Sequence, residues 1–204
     1  MSAIKLHIPT SFKEITVGQF QQYRKAIQGD FTQTRLKVIT CSIFCNESID
    51  MIESLTLASL EKVHSTLSKI LESGTSDNLQ RIIYVGGKLY GFIPNITQMS
   101  TGEFADLEEE IGDSGDVWDS LPEILSILYR PITNLSRRKW LRKTGTYEIE
   151  DYGPQHIAAC DKMKSVDMEC AAAVAVFFCN SANQLLMSSV LSLEENLQLR
   201  QMMD

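Results

Sequence analysis

The sequence predicts a mainly α-helical fold of the α+β class: one helical domain with a β-hairpin and a short N-terminal strand or arm. Two observations predict it. Apolar side chains recur at helical spacing over most of the chain, as in amphipathic helices. Around residues 81–94, two β-rich runs flank a pair of glycines. We therefore expect a single domain over residues 1–204 with the hairpin inserted around 81–94, or alternatively a subdivision near residues 74–80.

The N-terminal segment has the alternation of an extended chain. From Ala3 to Ile8, apolar and polar side chains alternate, and Pro9 ends the pattern. Alternation puts the apolar side chains on one face of an extended backbone. We therefore expect a short strand here, or an arm that adds to the sheet of a neighbouring molecule.

Four helices are predicted between this segment and the hairpin, and each begins at a residue with a hydroxyl group. Thr16 has the side-chain oxygen of a helix N-cap, and the apolar stripe after it ends at Gly29. The second helix ends near Phe44, the third is short, and the fourth closes at Gly74. The four helices start at Thr16, Thr32, Ser48 and Thr56.

The hairpin is the clearest β element of the sequence. Its strands are Ile82–Val85 and Lys88–Ile93, and Gly86-Gly87 joins them. Two glycines fit this place because a two-residue hairpin turn requires positive φ angles. Pro94 ends the second strand because it lacks the N–H that a sheet needs.

Two further helical segments follow the hairpin. Helical periodicity resumes at Thr101 and is interrupted by a Gly- and Asp-rich break over Gly112–Asp116. A second helix then covers Val117–Tyr129, and Pro131 ends it. At this end we expect Arg130 to reach a carboxylate with its long side chain.

A brief strand and two helices are predicted in the last third of the chain. The alternating residues Thr146–Glu150 indicate the strand. The segment 165–180 is apolar nearly all round, so this helix should lie at the centre of the core. A last helix covers residues 184–202, where apolar side chains again keep helical spacing.

Charge is unevenly distributed along an acidic chain. The net charge is -7 and the pI is about 5.0, which argues against non-specific nucleic-acid binding. Eight acids and no base lie between Glu103 and Asp119, and six bases and no acid lie between Arg130 and Lys143. The candidate partner-binding residues from these runs are Arg130, Arg137, Arg138, Lys139, Arg142, Lys143, Glu108, Glu109 and Glu110.

These two runs have two interpretations. The first is a pair of solvated faces whose charges partly cancel. The second is a dipolar contact surface that supports head-to-tail association in a ring, because a heterologous interface joins two different patches of one protein. The stretch Arg137-Arg138-Lys139-Trp140 adds an aromatic ring to the bases, which fits docking of an acidic partner; we expect no sequence-specific nucleic acid.

No motif in the sequence carries a catalytic signature. Gly86-Gly87-Lys88 lacks both the first glycine and the Ser or Thr that a phosphate-binding loop needs. The sequence also contains no GxGxxG, HExxH or GxSxG pattern. We therefore predict a protein that is not an enzyme and that uses no cofactor.

The cysteines and histidines offer two weaker alternatives. The five cysteines are odd in number and have no CxxC spacing, so we expect reduced thiols that pack as small apolar side chains. Cys41, Cys45 and the distant His64 could begin a zinc site, and Cys160 with His156 could form a nucleophilic pair. Both sets arise readily by chance in a helix-rich chain, so we predict no metal site.

The sequence predicts no membrane segment. The longest uninterrupted apolar run, Cys170–Cys179, has ten residues, which is too short to span a bilayer. The N-terminus lacks the apolar core and the cleavage site of a signal peptide. We therefore expect a cytosolic product without a membrane partner.

Three stretches together resemble a known group of proteins. They are HIPTSFKEITVGQFQQY (residues 7–23), YGFIPNITQMSTGEFADLEEEI with WDSLPEILSILYRPI (within residues 90–132), and YEIEDY (residues 147–152). In this order they resemble small proteins encoded among the head–tail genes of tailed phages, especially crAss-like podoviruses of gut Bacteroidetes. These motifs are structural, and no catalytic residue carries over from them.

The resemblance implies a role in building the phage particle. Proteins of this type are neck, tail or internal components of the virion, or assembly factors for them. We therefore expect a structural virion protein that is made in the host bacterial cytoplasm, forms homo-oligomers and contacts other phage structural proteins. The alternative is a non-virion tail-assembly chaperone that binds a tail protein transiently.

Overall fold

The computed structural model describes residues 5–73, 78–93, 99–114, 116–135 and 147–178. Within these ranges the chain is mainly helical and adds one small antiparallel sheet, which confirms the predicted α+β class. The helices are a 3-10 turn at Phe12–Glu14, then α1 (Val17–Ile27), α2 (Gln33–Cys45), α3 (Ile49–Glu53), α4 (Leu57–Glu72), α5 (Thr101–Ser114), α6 (Leu121–Leu128), α7 (Gln155–Met163) and α8 (168–178). The strands are β1 (Ile82–Val85), β2 (Lys88–Phe92), β3 (Tyr129–Leu135) and β4 (Tyr147–Ile149).

The first four α-helices start where the sequence predicts, each behind a side-chain N-cap. At α1, the hydroxyl of Thr16 accepts the N–H of Gln19, and the Gln19 side chain accepts the N–H of Thr16. These bonds satisfy backbone donors that have no partner within the helix. α2 ends at Asn46, whose left-handed φ of 53° closes the last turn. The predicted end of the fourth helix at Gly74 lies outside the described residues.

The described part of the N-terminal segment is an arm rather than a strand. Residues 5–10 pair with no strand of the described sheet. Leu6 and Ile8 are half-buried against the core, whereas Lys5 and His7 are exposed. The alternation in the sequence therefore reflects one-sided burial of an arm on its own domain.

The predicted hairpin is half of a four-stranded antiparallel sheet with the order β1-β2-β3-β4. Gly86 and Gly87 join β1 to β2 with φ angles of 54° and 83°, as a tight turn of this type requires. β2 then pairs with β3, and β3 pairs with β4, which is the brief strand predicted around residues 146–150. Pro94, the predicted end of the second strand, lies outside the described residues.

The end of α6 differs from the prediction. The sequence predicts a helix through Tyr129, whereas α6 ends one residue earlier and β3 begins at Tyr129. Pro131 has no N–H to donate to the carbonyl of Ile127, and it disfavours the helical conformation at Arg130. The proline that ends the helix therefore lies inside a strand, where its carbonyl accepts the N–H of Glu150.

Two helix boundaries also differ from the prediction. α5 continues past Gly112, inside the predicted break, because one glycine costs a helix only about 1 kcal/mol. α6 begins at Leu121 rather than at Val117, with Pro122 in its first turn as predicted. Residues 116–120 form the connection between the two helices.

α7 is not predicted by the periodicity of the sequence. Its apolar face is narrow: Met163 is fully buried, while Ile157 is 69% exposed. The helix packs against α6 instead of spanning the core, and the small side chain of Ala159 contributes to that contact. Pro154, which favours the first turn of a helix, was the available signal for it.

α8 lies at the centre of the core, as its all-round apolar sequence predicts. Residues 170–175 are almost fully buried. The helix begins at 168 rather than 165, because the backbone before it pairs with the chain just ahead of α1: the Met168 N–H donates to the Ile15 carbonyl (2.8 Å). The predicted last helix over residues 184–202 lies outside the described residues.

Candidate functional site

The acidic run of the sequence is divided between internal contacts and the surface. Glu103 is 5% exposed, and its Oε1 lies 2.9 Å from Nη1 of Arg130. Its Oε2 accepts the N–H of Ser100, while the Ser100 hydroxyl accepts the N–H of Glu103, so the same carboxylate also caps α5. The predicted reach of Arg130 to a carboxylate is observed, and it engages Arg130 inside the chain.

A second carboxylate of α5 contacts the segment between β4 and α7. The Tyr152 hydroxyl donates to Oδ2 of Asp106 at 2.5 Å. The Tyr152 ring stacks on His156, with ring centroids 4.9 Å apart, and the Arg130 guanidinium lies over the Tyr152 ring, 6.0 Å from its centroid. Burial, and then the hydrogen bond to Asp106, raises the pKa of Tyr152. The contacts among Asp106, Tyr152, His156 and Arg130 therefore link α5 to β3 and to the start of α7.

The last acids of the run contact α1. Arg24 donates to Asp116 at 2.5 Å and to Asp119 at 2.9 Å. The Gln21 side chain donates to the Asp119 carbonyl at 2.7 Å. These partners lie more than ninety residues apart in the sequence, so the contacts join α1 to the connection between α5 and α6.

Of the predicted contact residues, Glu108 and Glu109 remain exposed on α5, while Glu110 is half-buried. Arg130 belongs to the buried pair with Glu103. The other predicted bases, which lie outside the described residues, are Arg137, Arg138, Lys139, Arg142 and Lys143. Glu108 and Glu109 are therefore accessible on α5, and the dipolar contact surface stays a prediction.

The outer edge of the sheet is a surface that the sequence patterns did not predict. β1 is the first strand in the sheet order, so its outer edge has no strand partner within the described ranges. Tyr84 and Leu89 face each other across the hairpin and are 71% and 41% exposed. We call this edge with Tyr84 and Leu89 the hairpin edge surface. The Gly86-Gly87 turn is the sequence signal that predicts this pair of residues, because a two-residue loop places Tyr84 opposite Leu89.

A groove of about 730 Å³ lies between the N-terminal arm and α4. The arm contributes residues 8–12, and α4 contributes Thr66, Lys69 and Ile70. Of its ten lining residues, four are apolar, four carry hydroxyl groups and two are charged. We call it the arm groove.

The cysteine–histidine alternative does not match the observed contacts. Cys160 Sγ donates to Oε1 of Glu123 at 3.1 Å, while His156 contacts Tyr152 and the Gly153 carbonyl. Burial, followed by the bond to Glu123, raises the pKa of Cys160 to about 12. A nucleophilic cysteine needs the opposite shift, because the thiolate is the reactive form.

The described part of the chain contains no group of side chains that could hold a metal ion and no helix that could span a membrane. Within the described ranges, no three His, Cys, Asp or Glu side chains are grouped as a metal site requires, so Cys41, Cys45 and His64 form no such group. The helices in the described part include none that is long and apolar enough to cross a bilayer. No family model, curated protein or solved structure matches the chain.

Proposed function

We propose that this chain is a structural component of a tailed-phage particle, in the neck, the tail or the interior, and that it acts through protein–protein contacts in a homo-multimer. Further copies of the chain and other phage structural proteins are its partners. The resemblance of residues 7–23, 90–132 and 147–152 supports the phage assignment. The observation that carries the contact role is the hairpin edge surface.

The outer edge of β1 offers backbone hydrogen bonds to a partner. Val85 and Lys88 flank a two-residue turn and exchange hydrogen bonds, and every second pair along the hairpin does the same. The bond from the Phe92 N–H to the Arg81 carbonyl (2.8 Å) fits this alternation. The N–H and C=O groups of the residues between, such as Tyr84, therefore point away from β2. Such an edge accepts an added strand.

The side chains at this edge favour contact over solvation. Natural sheets protect their edges with charged side chains or proline, but the four residues of β1 are uncharged. Tyr84 and Leu89 together form an apolar patch on one face of the hairpin. An exposed aromatic residue beside an open edge is the kind of anchor that protein interfaces use.

The experiment compares the association of the wild-type chain with that of the double variant Tyr84→Lys and Leu89→Lys by sedimentation velocity. Both positions are exposed, so the variant should keep the wild-type circular dichroism spectrum and lose at least tenfold in association affinity. The matched control is Leu57→Lys, because Leu57 is 64% exposed on α4, away from the edge. Equal association of the double variant and the control would contradict the proposal, as would a wild-type chain that stays monomeric.

The arm groove favours a second candidate, the tail-assembly chaperone. Its volume of about 730 Å³ lies within the range of sites that enclose a bound segment or ligand. Mass spectrometry of purified particles separates the two candidates. A stoichiometric amount relative to the major capsid protein supports the structural component. Absence from particles, together with abundance in the infected-cell lysate, supports the chaperone.

A further inference from the structure

We propose that the cavity between the sheet and α7 binds a small zwitterion whose two charges lie at opposite ends, such as a short ω-amino acid. The cavity has a volume of about 180 Å³. It is separate from the hairpin edge surface, because Tyr84 and Leu89 lie on the other face of the sheet. The proposal therefore stands or falls independently of the contact role.

The cavity lies between one face of the sheet and one side of α7. Lys88 and Tyr90 are two residues apart on β2 and share a face of the sheet. Tyr90 is opposite Pro131 on β3, and the Pro131 carbonyl accepts the N–H of Glu150, so these side chains continue the same wall. The other wall is one side of α7.

Of the five α7 residues that line the cavity, three lie at intervals of three. His156, Ala159 and Lys162 all line the cavity. The small side chain of Ala159 leaves the space open at the middle, because a larger one would fill it. From His156 to Lys162 the helix rises about 9 Å, which sets the distance between the two ends of the cavity.

Tyr90 presents to the cavity a hydroxyl that has no protein partner within the described ranges. The residue is 2% exposed and lines the cavity, yet its hydroxyl makes no hydrogen bond within the described part of the chain. Because this hydroxyl opens onto the cavity, its hydrogen bond is available to a molecule that occupies the cavity. Burial and the nearby Glu150 carboxylate raise the pKa of Tyr90, which keeps the hydroxyl uncharged, so that its oxygen can accept a hydrogen bond.

The charges of the cavity that form no ion pair are separated by sign, whereas Arg130, which also lines the cavity, is paired with Glu103. The Lys162 side chain lies beside Gly86 of the hairpin turn, and Lys88 is the first residue after that turn, so both bases are at the hairpin end. Glu150 and Asp151 follow β4 and lie at the opposite end, beside the start of α7. None of these four side chains forms an ion pair within the described ranges.

The positions of these charged side chains indicate which chemical groups a ligand would carry at each end. An anionic group at the hairpin end would accept hydrogen bonds from Lys88 and Lys162. An ammonium group at the other end would donate to Glu150, with Tyr90 beside it. A short methylene chain between them would pass the apolar surfaces of Ala159 and Pro131. The volume corresponds to about six water molecules, which suits a chain of a few carbons.

The test uses three probes that each have four carbon atoms: 4-aminobutyrate, butyrate and butylamine. Each is titrated into the 15N-labelled full-length chain and followed by amide chemical shifts. We expect 4-aminobutyrate to shift the amides of Lys88, Tyr90 and Glu150, and to bind at least tenfold more tightly than either single-charge analogue. Absence of saturable shifts at about 10 mM 4-aminobutyrate would overturn the proposal. Equal binding of butyrate or of butylamine would also overturn it.

Variants assign the binding to the cavity. Lys88→Gln and Glu150→Gln should each weaken 4-aminobutyrate binding at least tenfold, because each removes one charge-assisted contact. Tyr90→Phe should weaken it about fivefold while keeping the buried ring. The matched control is Lys62→Gln, because Lys62 is exposed on α4 and lines neither the cavity nor the arm groove. Unchanged affinity in both charge variants would contradict this placement of the ligand.

Discussion

Gly91 leaves space on one face of the sheet for the ring of Tyr147. The Tyr147 ring reaches over β2, and its hydroxyl donates to the carbonyls of Phe92 (2.5 Å) and Arg81 (3.1 Å). A Cβ at Gly91 would lie 2.7 Å from Cδ2 of Tyr147 and nearer still to Cε2. The ring and a side chain cannot share this space, so the absence of a side chain is required here by packing rather than by the backbone angles.

We predict that Gly91→Ala destabilises the fold by about 1–3 kcal/mol, because the displaced ring loses its packing and its hydrogen bonds. The measurement is thermal or urea unfolding followed by circular dichroism. Gly102→Ala is the control: the nearest atom to its added Cβ is 4.0 Å away, so we expect no loss of stability. Similar losses in the two variants would show that the contact with Tyr147 is not the cause.

The buried thiols make stability depend on alkaline pH. Burial raises the pKa of Cys41 to about 12 and that of Cys45 to about 11, above the ordinary value of the unfolded chain. A raised folded-state pKa stabilises the fold below the unfolded pKa, and this contribution is lost as the pH rises towards the folded pKa. We therefore expect the free energy of unfolding to fall above about pH 8.5.

We predict that Cys41→Ala reduces this alkaline fall. Each buried thiol contributes a slope of up to about 1.4 kcal/mol per pH unit, so between pH 8.5 and pH 10 the variant should lose about 1–2 kcal/mol less than the wild type. The measurement is urea unfolding at several pH values. Other titrating groups are common to both proteins and cancel in the comparison. Parallel pH profiles would contradict the prediction, because they would mean that the pKa of Cys41 is the same in the folded and the unfolded chain.

At the scale of the elements, a buried ion pair connects α5 to β3. The side chains of Glu103 and Arg130 are 6% and 16% exposed, so both charges are largely removed from water. Arg130 Nε has no hydrogen-bond partner within the described ranges, which leaves the Glu103 carboxylate as its main compensation. Breaking such a pair leaves an uncompensated buried charge, which costs more than the pair itself contributes.

We predict that Glu103→Gln lowers stability by about 2–4 kcal/mol, somewhat less than for a fully buried pair because Arg130 keeps some exposure. Glutamine can still accept the Ser100 N–H, so the cap of α5 is retained. Glu53→Gln is the control, because its pair with Arg35 is exposed and should contribute less than about 1 kcal/mol. Chemical denaturation of the three proteins measures both effects, and equal values would contradict the role of burial.

At the scale of the whole molecule, some acids of the acidic run form contacts within the fold, and others remain exposed. The acids at 103, 106, 116 and 119 are used within the fold, whereas Glu108 and Glu109 face solvent. An exposed acidic patch is available to a neighbour, which is what the head-to-tail hypothesis requires. The basic run after Arg130 is the predicted complement.

We predict that charge reversal weakens association from either side. One variant carries Arg137→Glu, Arg138→Glu and Arg142→Glu, and the other carries Glu108→Lys and Glu109→Lys. Each alone should associate less at low salt, because like charges then meet across the interface. Mixing the two should restore association, since every contact in an alternating ring again joins opposite charges. Sedimentation velocity measures all three samples, and a mixture that stays dissociated would contradict head-to-tail docking.

Local residues account for much of what the sequence could predict. The hydroxyl of Thr16 and the pair Gly86-Gly87 act on their immediate neighbours, so their helix start and hairpin turn are found where expected. The reach of Arg130 is also a local consequence of its length. α7 was missed because its burial comes from contact with α6, and its own apolar pattern is weak.

The sequence alone determined the class of fold, the caps, the turn and the central buried helix, because these depend on contacts between residues that are close in the chain. The tertiary structure decided which acids meet Arg24, Arg130 and Tyr152, which edge of the sheet has no strand partner within the described ranges, and that Lys88 and Glu150 line one cavity. These relations join residues that are distant in the chain. A residue pattern cannot specify them because burial and pairing depend on which surfaces the fold brings together.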